Sequence, residues 1–333
     1  MKHSGYLTTS GAEIYYEQYG SGTPLLILHG NSQSLAVFYP FLRTFLPDFQ
    51  VILMDSRGHG RSRLSVHTAL HGFSTEDMAD DVIALLDHLH LSSVHLLGFS
   101  DGANIGLEIA CKYPERLKTL ICISANASPD GLLTPLHLAA QMQHSILNLL
   151  LPVLKCSFSS ASASSGSSAV SALSNLEASL PFQKKFSVSA TSAVCANKKR
   201  QHHFKSIFPR IPAEQRMCIP QSVFLCHRAK LPVTQKKKPD FLTRLTHRVL
   251  RRRNLTSLLL HSPRLSARKL QTISVPVLLI AGTRDLIKPS HSRWLARQIP
   301  TSRLLLMTGG RHTSIFRTPA PYLRAILEFL RRS

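Results

Sequence analysis

Val94-His95-Leu96-Leu97-Gly98-Phe99-Ser100-Asp101-Gly102-Ala103-Asn104 joins a short apolar run to a G-x-S-x-G pentapeptide and then to a helix-like pattern. A tight strand-to-helix turn holds its middle residue in strained backbone angles, and glycines on either side let strand and helix pass without a Cβ clash. The hydroxyl of Ser100 is therefore expected to stand clear of a sheet. A helix expected over residues 104–113 would point its N-terminal N–H groups and dipole at the place where an oxyanion forms. Taken alone, such a serine is also an ordinary turn residue, so the reading depends on partners elsewhere in the chain.

Outward from this turn the same grammar repeats. Residues 6–8 and 13–18, split by Ser10-Gly11, form a hairpin pattern. Residues 25–28, 51–54 and 119–123 are short apolar runs of the kind buried on both faces of a parallel sheet. A helical pattern spans 76–89, where Met78, Val82, Leu85, Leu86 and Leu89 share a face and Ser74 with Asp77 is placed as a capping box. Strand 277–281, helix 290–298, strand 303–307 and helix 320–331 continue the alternation. The pattern predicts an α/β protein whose mostly parallel central sheet is covered by helices on both faces.

A serine that attacks a carbonyl needs a base for its proton, an acid to orient that base, and donors for the oxyanion. Asp285 ends Ala281-Gly282-Thr283-Arg284-Asp285, after strand 277–281, and His312 ends Thr308-Gly309-Gly310-Arg311-His312, after the next strand. Both lie at the carboxyl end of the expected sheet, where sites gather. Singly, Asp285 reads as a helix N-cap or loop carboxylate, and His312 is one of 17 histidines. Their order at successive strand ends makes coincidence a poor account. His29-Gly30-Asn31 closes an early strand, and Asp55-Ser56-Arg57-Gly58-His59-Gly60-Arg61-Ser62 follows the next, the latter reading as structural. His202-His203 and Cys226-His227 lack a second ligand pair at zinc-like spacing, so neither a metal nor a cofactor is expected.

With Ser100, Asp285 and His312 in that order, and with the motifs at His29 and Asp55, the chain resembles the α/β-hydrolase superfamily over about residues 5–130 and 255–331. The resemblance implies the α/β-hydrolase fold, a catalytic triad of Ser100, His312 and Asp285, and an oxyanion hole formed by the backbone N–H groups of Asn31 and Asp101. Serine at the elbow departs from the aspartate nucleophile of the superfamily's dehalogenases and epoxide hydrolases. The surroundings are similar to the serine esterase and lactonase branch, including 3-oxoadipate enol-lactonase and the valacyclovir-hydrolase type. A small carboxylic ester or lactone is the substrate this implies, although the same triad can serve thioester, amide or carbon–carbon hydrolysis. In the valacyclovir-hydrolase type the aspartate after the serine can meet a substrate ammonium; for Asp101 the alternative is stabilisation of the helix dipole.

The chain has 333 residues, 44% of them hydrophobic, and a net charge of +22. Residues 151–270 hold 22 Lys and Arg against Glu177, Glu214 and Asp240, a net of +19, which leaves +3 for all the rest. Of the 24 residues 157–180, 11 are serine, and Asn197-Lys198-Lys199-Arg200 and Gln235-Lys236-Lys237-Lys238 follow. Residues 157–238 therefore cannot bury a good core. They are either a disordered basic insertion or a stretch translated out of frame or from retained non-coding sequence.

In the superfamily a cap inserted before the acid-bearing strand sets substrate choice. The expected organisation is 1–130 as the first part of the core, 131–270 as cap and insertion, and 271–333 as the second part. The cap's ends are expected over 129–154 and over 255–270, the latter helical and amphipathic, with Ser262-Pro263-Arg264-Leu265-Ser266 leading into a helix. A hydrolase-like fold that grips nucleic acid or an anionic surface through the basic segment is the competing reading, although aromatic residues for stacking are sparse there. The start of the chain lacks an apolar h-region, and residues 146–154 are interrupted by Asn148 and Pro152, so a soluble, cytoplasmic protein is expected. Six cysteines without a C-x-x-C pair point to free thiols.

Overall fold

Alternation along residues 25–28 sends Leu26 and Leu28 to one face of a sheet and Leu25 and Ile27 to the other, and all four are buried. The computed structural model describes residues 2–162 and 241–332. Among them nine strands form one sheet: β1 (Lys2–Thr9), β2 (Ala12–Tyr19), β3 (Thr23–Leu28), β4 (Phe49–Met54), β5 (Arg63–Leu64), β6 (Val94–Phe99), β7 (Leu117–Ile123), β8 (Val277–Gly282) and β9 (Ser302–Met307). The spatial order is β1-β2-β4-β3-β6-β7-β8-β9, with β5 beside β2. From β4 to β9 along that path every pair is parallel, while β1, β2 and β5 pair antiparallel.

Parallel neighbours require crossovers. The described helices are α1 (Leu42–Phe45), α2 (Val66–His71), α3 (Thr75–His88), α4 (Asp101–Lys112), α5 (Thr134–Ser162), α6 (Phe241–His261), α7 (Ala267–Gln271), α8 (Pro289–Gln298), α9 (Ser314–Arg317) and α10 (Pro319–Arg331). Met78, Val82 and Leu85 of α3, Ile105 and Ile109 of α4 and Leu295 of α8 cover one face. Phe38, Phe45 of α1, and Ile326 and Phe329 of α10 cover the other. Each such side chain contributes roughly 2 kcal/mol when fully buried. The expected capping box is present, with Ser74 Oγ accepting from Asp77 N–H and the Asp77 carboxylate accepting from Ser74 N–H.

All the expected strands form, and each runs at least a residue longer than its apolar pattern. Polar residues such as Lys2, His3 and Ser4 extend β1 because their main chains pair with residues 17–19 whatever their side chains do. The helical stretch expected over 255–270 consists of the end of α6, a break at Ser262-Pro263, and the short α7, into which Ser262-Pro263-Arg264-Leu265-Ser266 leads as expected, with Ser266 as its N-cap. Pro263 has no N–H to continue the ladder. On the other side α5 continues through Asn148 and Pro152 as far as Ser162, so the first serines of the expected insertion belong to a helix. Residues 163–238, with His202-His203, Cys226-His227 and the lysine runs, lie outside the described residues.

Both ends of the inserted region are stitched to the core. Leu133 N–H donates to Leu286 O, Leu132 bridges Ile287, and Leu265 N–H donates to Ala127 O. Cys111 and Cys122 are free thiols. No helix among the described residues is long and apolar enough to cross a membrane.

Candidate active site

From β3 the chain turns to β4 on one side, then returns to β6 on the other. The crevice at the carboxyl ends of β3 and β6 is thus a topological switch point. Ser100 sits there, between β6 and α4, with φ 54° and ψ −118°. Few non-glycine residues adopt such angles, and the surroundings enforce them: Ser100 N–H donates to Ile123 O at 2.8 Å, while its carbonyl accepts from Ala103 and Asn104 N–H. The positions two residues to either side must be glycine. A Cβ on Gly98 would lie 2.3 Å from the Gly102 carbonyl oxygen, and one on Gly102 would lie 2.4 Å from the Leu28 carbonyl oxygen.

The loops after β8 and β9 bring Asp285 and His312 to this serine. His312 Nε2 is 3.1 Å from Ser100 Oγ, and His312 Nδ1 is 2.6 Å from Asp285 Oδ1. With the ring proton on Nδ1, the imidazole donates to the carboxylate and leaves Nε2 to accept from the hydroxyl. Asp285 is 2% exposed. Burial pushes its carboxyl up, but the bond and charge of His312, the Ser124 hydroxyl and the Ile287 N–H together hold it below the usual carboxylate range. Ser124 Oγ–H donates to Asp285 Oδ2 at 2.6 Å, a contact that sequence reasoning missed because a serine at a strand end carries no periodic signal. Phe99 packs against the His312 ring and Phe316 against Phe99.

Asn31 and Asp101 follow the ends of β3 and β6. The Asp101 N–H opens α4, and neither this amide nor that of Asn31 donates to an acceptor among the described residues. Their side chains meet. Asn31 Nδ2 donates to Asp101 Oδ2 at 2.9 Å and to Leu255 O of α6 at 3.0 Å. The Asp101 carboxyl is pushed up by burial, opposed by the Asn31 amide and the nearby His312.

The motif around Asp55 and His59 supports the Asn31 loop from beneath. His29 donates from Nδ1 to Gly30 O and accepts at Nε2 from Ser56 N–H; His59 donates to Arg57 O and accepts from Ser32 N–H at 3.1 Å. Accepting at Nε2 requires neutral rings. Burial supplies this, pushing both imidazoles down, His59 to about 3 with help from the adjacent His29. Asp55 completes the brace by accepting from Leu35 and Arg61 N–H. No group of three or more metal-ligating side chains occurs among the described residues.

A serine, histidine and carboxylate converging at the carboxyl edge of such a sheet agree with a family model for the alpha/beta hydrolase fold that matches residues 23–319, and the chain belongs to that family. Within it, the chain is similar to RutD, a candidate carbamate hydrolase of Azorhizobium caulinodans, at 33% identity over 128 residues, 38% of this chain and 47% of that protein. It is also similar to YraK, an uncharacterized hydrolase of Bacillus subtilis, at 31% identity over 36% of this chain and 43% of that one. The chain spans about half the length of the curated relatives it matches. Among solved structures, the enol-lactonase of Burkholderia xenovorans superposes with a TM-score of 0.58 at 18% identity, covering 98% of this chain and 99% of that one. A thermophilic esterase of Thermogutta terrifontis gives 0.59 at 20% identity, covering 99% and 98%. At these identities the likeness is one of fold.

Proposed function

We propose that the protein is a serine hydrolase that cleaves a small carboxylic ester or lactone through an acyl-enzyme on Ser100. The observation that carries this reading is the unbroken path from Ser100 Oγ through His312 Nε2 and Nδ1 to Asp285, at 3.1 and 2.6 Å. Ser100 Oγ attacks the carbonyl carbon while its proton passes to His312 Nε2. The carbonyl oxygen, now an oxyanion, accepts from the N–H groups of Asn31 and Asp101 at the head of α4. Collapse breaks the ester bond, and His312 delivers its proton to the departing alkoxide. Water then gives a proton to His312 and attacks the acyl carbon, and His312 passes that proton to Ser100 Oγ as the acyl bond breaks, releasing the acid and restoring both residues. Asp285 keeps its charge throughout and holds the imidazole in the required tautomer. In this reading the chain divides into core parts 1–130 and 271–333 and a cap, residues 131–270, whose described helices are α5 and α6.

Ester and lactone are favoured as substrates by the chemistry named for the structural neighbours: an enol-lactonase, an esterase, and an enzyme degrading N-acyl homoserine lactones. The carbamate hydrolase named for RutD adds carbamates to the panel worth testing. A fluorophosphonate probe is expected to label the wild type at Ser100 and to leave Ser100→Ala unlabelled. The same substitution is expected to abolish turnover of p-nitrophenyl esters and simple lactones. Folded wild-type protein that neither labels nor turns over any member of the panel would falsify the reading.

A further inference from the structure

The carboxylate of Asp285 is fixed by two short bonds, one on each oxygen, and only one of them comes from His312. The other comes from Ser124, at the end of β7 and 161 residues away in sequence, whose Oγ–H lies 2.6 Å from Oδ2. The main-chain donors to the same carboxylate, Gly282 N–H and Ile287 N–H, are both at 3.3 Å. Ser124 is built for this contact. It is 2% exposed and adopts φ 58°, a left-handed conformation uncommon for serine. Its N–H donates to Ile280 O at 2.8 Å, which ties it to β8, the strand that leads to Asp285.

We propose that Ser124 is a positioning residue for the acid of the site, its hydroxyl fixing the plane of the Asp285 carboxylate so that Oδ1 is presented to His312 Nδ1. The proposal rests on the reading that Asp285 orients His312 for proton transfer. Without the hydroxyl the carboxylate keeps one short anchor and gains freedom about its Cβ–Cγ bond. It also loses a donor that draws negative charge toward Oδ2. The base becomes less well aimed at Ser100 Oγ. Among the described residues, Asp101 from α4 lies within electrostatic reach of His312 and Tyr322 from α10 within reach of Asp285; both are unchanged in the comparison below.

Two variants separate the hydroxyl from the backbone. Ser124→Ala removes the donor, while Ser124→Gly removes it and accommodates φ 58° freely. In both, kcat on p-nitrophenyl butyrate is expected to fall on the order of tenfold with KM little changed, the size expected for losing a hydrogen bond to a charged group. The His312 Nδ1–H proton, held against Asp285 Oδ1 at 2.6 Å, should move upfield and broaden in the NMR spectrum of both variants. A Ser124→Gly protein with wild-type kcat and a wild-type Nδ1–H resonance overturns the proposal and leaves Ser124 a backbone role only. The resonance reads Ser124 even if the wild type hydrolyses no ester, so failure of the enzymatic reading and failure of this one are distinguishable.

Discussion

Asn31 contributes a backbone N–H to the proposed oxyanion hole, yet its side chain touches both the nucleophile turn and α6. The 2.9 Å bond to Asp101 and the 3.0 Å bond to Leu255 O join three segments through one amide. Asn31→Ala removes that tie without removing the N–H, and it leaves the buried Asp101 carboxyl without its donor. We expect kcat to fall about tenfold, less than the 10²–10³ typical of deleting an oxyanion donor outright, with the fluorophosphonate labelling rate falling in parallel. Unchanged labelling would mean that the loop holds itself. Sequence reasoning placed Asn31, Ser100, Asp101, Asp285 and His312 because each stands in a short motif beside a strand. Ser124 and Leu255 escaped it, since their roles exist only after residues more than a hundred positions apart have met.

The turn around Ser100 is steric as much as chemical. On Gly102 a Cβ would meet the main chain of Leu28 and His29, which lies in a central strand and the loop after it and cannot give way as a flexible side chain would. Gly102→Ala is expected to destabilise the protein by about 2 kcal/mol, read as a lower urea midpoint, and to slow labelling of Ser100 by displacing the start of α4. A wild-type midpoint would show that strand and helix are less tightly apposed than the structure has them. The strands themselves were legible because burial on both faces leaves continuous apolar runs, and glycine marks where they must turn. The helices flanking the inserted region were legible in part: Ser262-Pro263-Arg264-Leu265-Ser266 marks the lead into α7, but the amphipathic period gives no warning that α5 runs on into a serine-rich stretch. The short β5 and α2 are set by pairing and capping rather than by pattern.

At the scale of the whole molecule, buried neutral histidines among the described residues are one source of acid sensitivity. An imidazole in the unfolded chain takes up a proton near pH 6.5, but His59 in the fold does so only at about 3, and His29 is displaced in the same direction. The folded value is the lower one. Stability from His59 is therefore complete above about pH 6.5 and is lost progressively as pH falls toward about 3, at about 1.4 kcal/mol per pH unit for one such group. Urea denaturation between pH 7 and pH 4 should record this decline. His59→Gln, which can still donate and accept, should start lower at neutral pH and decline less steeply; a slope equal to wild type would place the acid sensitivity elsewhere. Chain connectivity adds one more consequence. Ser100 and His312 are 212 residues apart, so during synthesis the hydroxyl is made roughly 10–40 s before the ring that activates it. A nascent chain thus carries a serine without a base, and its reactivity is withheld until His312 has been made.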